Sequence, residues 1–187
     1  MEQTFINRIS DFISGRNIFL IGMMGCGKSK TGPILAETLS YKFIDLDSLI
    51  EKVSNKSIDA IFREDGESTF RDIETKCLKE TVRVPSLVVS TGGGIVINSI
   101  NWGALRQGIV IWIDLDKEIA LKRLSDQIQS RPLLNNKDLN KSYSDILDSR
   151  EELYSQADIR IKVSNETIDQ VVEMIIYQLQ DKLNLDS

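Results

Sequence analysis

The chain has 187 residues, 41% hydrophobic and 27% charged, which suits one well-buried domain and is too short for two of ordinary size. Its net charge of −5 disfavours partners such as nucleic acid or an anionic membrane, because like charges repel. No apolar stretch approaches the length of a transmembrane helix. From the length and the net charge we expect a single domain (residues 1–187) that binds small molecules.

Residues 1–16 carry Glu2 and Asp11 among scattered apolar residues and lack the continuous apolar core of a signal peptide.

The first predicted strand is the apolar stretch 18–21, and a G-x-x-x-x-G-K-S run follows it directly at residues 22–29. This run, the phosphate loop, precedes a predicted helix at 29–40. An accidental glycine-rich turn would not require a strand before it and a helix after it.

Each residue type in the phosphate loop suits phosphate binding. The glycines let successive backbone N–H groups turn inward, Lys28 supplies a positive charge, and the Ser29 hydroxyl can ligate Mg²⁺. The helix that follows adds its positive N-terminal end. We therefore expect a nucleoside triphosphate to contact Gly22, Gly25, Cys26, Gly27, Lys28, Ser29 and Lys30.

Short apolar runs alternate with helical patterns through the rest of the chain, which indicates a parallel sheet covered by helices. Further strands are predicted at 42–45, 87–90, 109–113 and 159–163. Further helices are predicted at 48–53, 57–63, 67–84, 98–107, 117–126, 143–156 and 167–183. The polar segment 128–142 has no apolar period and is expected to be a mobile surface loop.

Ligands of open parallel sheets bind beyond the carboxyl ends of the strands. Asp45 and Asp47 flank the end of the second strand, so both carboxylates can face one cleft. Three glycines at 92–94 follow the third strand and leave bare backbone for a ligand, whereas a flexible turn, the alternative, needs one or two. Asp114 and Asp116 follow the fourth strand, and for this pair we favour helix capping.

Cysteine and histidine usage argues against a zinc site. Cys26 and Cys77 lie far apart without C-x-x-C spacing, and the chain has no histidine to complete a zinc ligand set. A reducing cytoplasm is the simplest location for such a chain. We expect it to act there as a monomer.

Six motifs in order carry a resemblance to a known family. They are the phosphate loop, D-L-D at 45–47, G-E-S-T-F-R at 66–71, G-G-G at 92–94, R-P-L-L at 131–134 and R-E-E-L-Y at 150–154. Over roughly residues 17–175, the chain resembles shikimate kinase in these motifs and their spacing. A phosphate loop alone would say little, since many unrelated enzymes have one. Five further motifs in register are much more specific.

The resemblance implies an α/β fold of three layers, the P-loop kinase fold, with a five-stranded parallel sheet of order 2-3-1-4-5 flanked by helices. It implies a substrate-binding helical region at about 46–84 and a lid at about 124–142. It also implies the reaction, in which the γ-phosphoryl group of ATP is transferred to the 3-hydroxyl of shikimate, giving shikimate 3-phosphate and ADP.

The resemblance also implies roles for individual residues. Asp45 would hold Mg²⁺ through water beside Ser29, Arg123 would pack on adenine, and Arg131 would reach the ATP phosphates from the lid. The implied catalytic residues are Asp47, Lys28 and Arg131. The implied shikimate contacts are Asp47, Arg71, Gly92, Gly93, Gly94 and Arg150.

The chemistry of these side chains suits the implied substrate. Arg71 and Arg150 can donate in a planar, bidentate manner to a carboxylate, which lysine cannot reproduce. Because the chain has no histidine, a general base must be a carboxylate or similar group, and Asp47 is the best placed. Phosphoryl transfer passes through a loose transition state, so Asp47 can instead serve chiefly to orient the hydroxyl.

Two other functions fit the phosphate loop less well. A gluconate kinase-like or adenylate kinase-like enzyme of the same fold would not require Asp47 and Arg71 together with three glycines at 92–94. A nucleotide-dependent switch would require an N-K-x-D motif, and the N-K pairs at 55–56 and 136–137 lack the aspartate.

Overall fold

The structure, a computed structural model, describes residues 3–125 and 139–185. Within them five strands form one parallel sheet in the order β2-β3-β1-β4-β5, which confirms the predicted topology. The strands are β1 (Ile18–Ile21), β2 (Lys42–Asp45), β3 (Leu87–Ser90), β4 (Ile109–Leu115) and β5 (Ile159–Val163). The helices are α1 (Gln3–Ile13), α2 (Lys28–Leu39), α3 (Leu46–Ser54), α4 (Ile58–Glu64), α5 (Gly66–Val82), α6 (Ser99–Leu105), α7 (Lys117–Ser125), α8 (Leu139–Tyr154) and α9 (Ile168–Leu185).

The sheet centre is buried on both faces. β1 pairs with β3 and β4, so that Ile18 lies opposite Val88 and Ile109, and every residue of β1 is buried. Strands covered on both faces need no polar side, which explains why they read as short continuous apolar runs. Because all the strands are parallel, their carboxyl ends meet at one edge, where β1, β2 and β3 deliver the phosphate loop, Asp45 and the glycines at 92–94.

Helix α1 was not predicted from the sequence. It packs against α2 and α9, and Ile9 and Ile13 are buried there one helical turn apart. The signal was present as apolar residues at 5, 6, 9, 12 and 13, which lie on one face of a helix. No helix in the described part of the chain is long and apolar enough to cross a membrane.

Two further predictions need correction. Residues 139–142 form the first turn of α8 rather than part of a surface loop, and the rest of the predicted loop lies outside the described residues. Helix capping was predicted for Asp114 and Asp116. Asp116 does cap α7, by accepting from the backbone N–H of Glu118 at 2.9 Å. Asp114 does not cap: it belongs to β4 and forms an ion pair with Arg160 at 2.7 Å.

Asn17 ties the opposite, amino-terminal edge of the sheet together. Its side-chain amide donates to the carbonyls of Thr81 (3.0 Å) and Val84 (2.9 Å), and its side-chain oxygen accepts from the Leu87 N–H (2.9 Å). The side chain is buried, so these three bonds satisfy backbone groups that water cannot reach. They fix the connection from α5 into β3, which leads to the glycines at 92–94.

We expect Asn17→Ala to lower the free energy of unfolding by about 2–3 kcal/mol, because it leaves buried backbone groups unsatisfied. Chemical denaturation measures this loss. Gln107→Ala, which removes one exposed hydrogen bond to Gly103, is the control and should change stability by less than about 0.5 kcal/mol. Equal stability of the two variants would show that the Asn17 bonds do not hold this edge.

Candidate active site

The phosphate loop forms a cradle between β1 and α2. Gly22 has φ 138°, and a Cβ there would collide with the Ile113 carbonyl of β4, so the loop lies against the sheet only because this residue is glycine. The Lys28 ammonium is buried and donates to the carbonyls of Gly22 (2.7 Å) and Met23 (3.0 Å). Helix α2 begins at Lys28 after Gly27, which has no side chain to cap its first N–H groups. Those groups can therefore donate to phosphate oxygens.

Three oxygen-bearing side chains meet beside the loop. The Ser29 hydroxyl donates to Asp45 Oδ2 at 2.6 Å and lies 3.3 Å from the Ser90 hydroxyl. The second Asp45 oxygen caps α3 by accepting from the Ser48 N–H at 3.1 Å, which fixes the carboxylate. Hard oxygen ligands of this kind suit Mg²⁺, and no cluster of three His, Cys, Asp or Glu side chains elsewhere in residues 3–125 and 139–185 offers a rival metal site.

Ser90 was missed by the sequence analysis. A serine at the end of a strand belongs to no motif, and only the pairing of β2 with β3, which places Asp45 opposite Ser90, brings it to the site. Ser90 is buried, so its hydroxyl lies in a fixed position beside Ser29.

A cleft of about 640 Å³, the donor cleft, opens from the phosphate loop. It brings together the predicted residues Lys30 and Arg123 with the loop itself. Its lining also includes the start of α9 and, just before that helix, Glu166 and Thr167, which the sequence analysis did not assign to a site. Glu166 accepts from the Ser164 N–H, and this bond lowers the pKa of its carboxyl group.

A second cleft of about 420 Å³, the acceptor cleft, opens on the other side of the glycines at 92–94. The six residues predicted to contact the acceptor all line it: Asp47, Arg71, Gly92, Gly93, Gly94 and Arg150. Phe62 and Phe70 form an apolar wall, with ring centroids 4.7 Å apart. Charged groups thus face an apolar surface, as in a site for a small polar ligand with a carbon ring.

The donor and acceptor clefts share a wall. Met24, Asp47 and Gly93 line both of them. A group bound at the phosphate loop and an acceptor bound beside Arg71 would therefore meet at Asp47. The arrangement suits direct transfer of a group between two ligands.

Gly92 and Gly94 lie too close to charged side chains for a Cβ, whereas a Cβ at Gly93 would come no nearer than 3.4 Å to its neighbours. A Cβ at Gly92 would lie 2.7 Å from Glu74 Oε1 and 3.0 Å from Asp47 Oδ1, and a Cβ at Gly94 would lie 2.5 Å from both terminal nitrogens of Arg71. Real Cβ atoms do not approach so closely, so a side chain here would displace the charged groups. Gly92 and Gly94 thus lie against charged side chains, which favours close approach of those groups over a flexible turn.

Glu74 is a second site residue that the sequence analysis missed. Its carboxylate is fully buried and pairs with Arg71 at 2.8 Å, while the half-exposed Glu67 pairs with the same guanidinium at 3.0 Å. Burial raises the pKa of Glu74, the Arg71 guanidinium opposes that rise, and nearby Asp47 adds to it. Arg71, which its charge-rich helix would suggest to be solvated, is instead held at the acceptor cleft by two carboxylates.

Two predicted residues need separate mention. Arg123 lies at the donor cleft with an exposed side chain. Arg131 lies outside the described residues, so its assignment to the lid stays a prediction.

The chain is similar to known proteins over most of its length. A sequence model of the shikimate kinase family matches residues 24–180. The shikimate kinase of Prochlorococcus marinus (strain NATL2A) is 49% identical over 175 residues, which cover 94% of this chain and 88% of the relative.

Solved structures give the same result. The shikimate kinase of Acinetobacter baumannii, solved in complex with shikimate, matches with a TM-score of 0.88 at 32% identity and covers 93% of this chain and 98% of that one. The shikimate kinase of Bacteroides thetaiotaomicron matches with a TM-score of 0.80 at 31% identity, covering 88% of this chain and 98% of that one.

The buried Glu74 predicts a pH-dependent stability difference. Its pKa is raised above the ordinary value of 4.5, so the folded protein holds the Glu74 proton to higher pH than the unfolded protein does. As pH rises above that value, the wild-type protein therefore loses stability relative to a variant with a neutral side chain at this position. We expect Glu74→Gln to gain stability relative to wild type between about pH 4 and pH 7, measured by urea unfolding at each pH.

Glu67→Gln is the matched control, because Glu67 pairs with the same arginine from a half-exposed position. It removes the charge of the other carboxylate that pairs with Arg71 and leaves the buried one in place. A Glu74→Gln difference that stays constant or shrinks with rising pH would contradict a raised pKa for Glu74.

Proposed function

The chain belongs to the shikimate kinase family, and we propose that the donor cleft is its ATP site and the acceptor cleft its shikimate site. The enzyme transfers the γ-phosphoryl group of ATP to the 3-hydroxyl of shikimate, giving shikimate 3-phosphate and ADP. The assignment of the two clefts rests on one observation: Asp47 and Gly93 line both of them.

Arg71 and Arg150 bind the shikimate carboxylate. Both guanidinium groups are largely withdrawn from water, with the Arg71 side chain 16% exposed and Arg150 6%. Desolvated guanidinium groups bind a carboxylate more strongly than exposed ones do, and their planar donors also fix its orientation. Phe62 and Phe70 supply the apolar surface for the ring of the substrate.

The phosphate loop and the start of α2 bind the ATP phosphates, with Lys28 as the counter-charge. Ser29 and Asp45 would hold the Mg²⁺ that accompanies ATP, with Ser90 beside them. A metal ion held there would supply positive charge to neutralise the phosphate oxygens. Lys30 and Arg123 complete the charged rim of the donor cleft, and Arg123 packs on the adenine.

Asp47 acts on the hydroxyl that receives the phosphoryl group. It stands at the junction of the clefts, and the chain has no histidine that could serve instead. Its carboxylate accepts a hydrogen bond from the substrate hydroxyl and so aligns it with the γ-phosphorus. In a loose transition state this alignment contributes more than early removal of the proton.

Three further proposals complete the description of the enzyme. Arg131 reaches the transferring phosphoryl group from the lid. The protein acts in a reducing cytoplasm, which fits two buried cysteines that are both free thiols. It works as a monomer.

Release of ADP tests the acceptor. Purified protein with Mg²⁺ and ATP should release ADP rapidly on addition of shikimate and only slowly with gluconate or AMP, because the two arginines bind a carboxylate and the wall of Phe62 and Phe70 suits a carbon ring that carries it. A coupled assay for ADP measures the rates. Equal rates with gluconate or AMP, or no response to shikimate, would refute the function.

Asp47→Asn tests the role of the shared wall. We expect kcat to fall about a hundredfold or more, with ATP affinity unchanged, because the amide is a poorer acceptor for the hydroxyl proton. Asp59→Asn is the control, since Asp59 lines the same cleft from an exposed position. Wild-type turnover in Asp47→Asn would rule out both the base and the orienting role.

A further inference from the structure

The Gly93 carbonyl accepts two hydrogen bonds from helix α8. The Tyr154 hydroxyl donates to it at 2.5 Å and an Arg150 guanidinium nitrogen at 3.2 Å. The two donors are four residues apart, so they lie on the same face of α8. One backbone oxygen in the wall between the clefts is thus the point at which α8 meets the glycines at 92–94.

Tyr154 is held rigidly by the sheet. Its side chain is fully buried, and its ring stacks on Trp112 of β4 with centroids 5.6 Å apart and planes 23° apart. Trp112 in turn lies beneath the phosphate loop, because a Cβ at Gly22 would be 3.3 Å from its ring. Burial raises the pKa of Tyr154, so the hydroxyl keeps its proton and remains a donor at neutral pH.

Fixing this carbonyl fixes a peptide plane in the acceptor cleft. The Gly93–Gly94 peptide is planar and trans, so holding its carbonyl toward α8 directs the Gly94 N–H away from α8. Three consecutive glycines have little conformational preference of their own. A hydrogen bond from a rigid side chain therefore determines how this part of the wall is oriented.

The bond also frees Arg150 for its substrate. Arg150 shares the Gly93 carbonyl with Tyr154, and a guanidinium that turns toward a substrate carboxylate would give up that bond. Tyr154 keeps the partly buried carbonyl satisfied when this happens, which removes the cost of leaving it without a donor. Arg150 can then bind the carboxylate without that loss.

We propose that Tyr154 is a positioning residue for the acceptor substrate, acting through the Gly93 carbonyl on the Gly93–Gly94 peptide and on Arg150. The proposal rests on the proposed function, because it assigns Tyr154 to the shikimate site. Tyr154 touches neither substrate and takes no part in the transfer itself.

Tyr154→Phe removes one oxygen and keeps the ring that stacks on Trp112, so the fold is retained. We expect the KM and the dissociation constant for shikimate to rise about fivefold to thirtyfold, as for loss of one buried hydrogen bond. The KM for ATP, and kcat at saturating shikimate, should stay within about twofold of wild type. Steady-state kinetics and titration calorimetry with shikimate measure these values.

Tyr143→Phe is the matched control. Tyr143 lies on the same helix and is equally buried, and its hydroxyl has no hydrogen-bond partner among the residues that the structure describes. Its removal should leave both KM values unchanged. A second variant with para-aminophenylalanine at position 154 restores a donor to the ring and should recover most of the lost shikimate affinity.

The outcomes separate this proposal from the proposed function. If wild type shows no shikimate-dependent release of ADP, the function is wrong. If wild type is active but Tyr154→Phe keeps its shikimate KM, or loses ATP and shikimate affinity equally, the positioning role is overturned. A double variant with Arg150→Lys should lose less shikimate affinity than the two single losses multiplied, and strict multiplication would also count against it.

Discussion

The lack of side chains at Gly92 and Gly94 is the constraint on which the rest of the site depends. Only bare backbone lets Glu74 and Asp47 approach Gly92, and Arg71 approach Gly94, at the carboxyl end of β3. The same backbone presents Gly93 to both clefts and to the two donors on α8. Groups from α3, α5 and α8 therefore meet around one short turn, and a methyl group there would push them apart.

Charge balance in the acceptor cleft follows from this crowding. Burying charge is costly unless the charges are paired, and Arg71 is paired with the buried Glu74 and the half-exposed Glu67. Arg150 is buried nearby against the Gly93 carbonyl. A substrate carboxylate adds negative charge where two guanidinium groups converge, whereas a neutral sugar would add none. The cleft therefore favours an anionic acceptor.

Much of the fold could be predicted because buried parallel strands leave a clear signal. Four of the five strands begin and end where they were predicted, and β4 continues beyond its predicted end to Leu115. The predicted acceptor residues also come together, because each follows or faces the end of a strand. Helix α1 was missed because polar residues separate its apolar residues in the sequence, although their spacing places them on one face of a helix.

Other site residues could not be predicted from sequence for a physical reason. Glu74 follows Arg71 by three residues on a charge-rich helix, and this spacing is equally typical of a solvated ion pair. Only the packing of α5 against the turn at 92–94 buries it. Ser90 and Tyr154 depend likewise on partners distant in the chain, Asp45 across the sheet and Gly93 across 61 residues.

The central claim is that the two clefts adjoin at Asp47, so that the phosphoryl group passes directly from ATP to the acceptor. The stereochemistry of transfer tests this most directly, with ATP whose γ-phosphoryl group is made chiral by oxygen isotopes. A single in-line displacement inverts the configuration at phosphorus, and inversion in the shikimate 3-phosphate product is the predicted result. Retention would require two displacements through a phosphorylated enzyme and would contradict direct transfer across the shared wall.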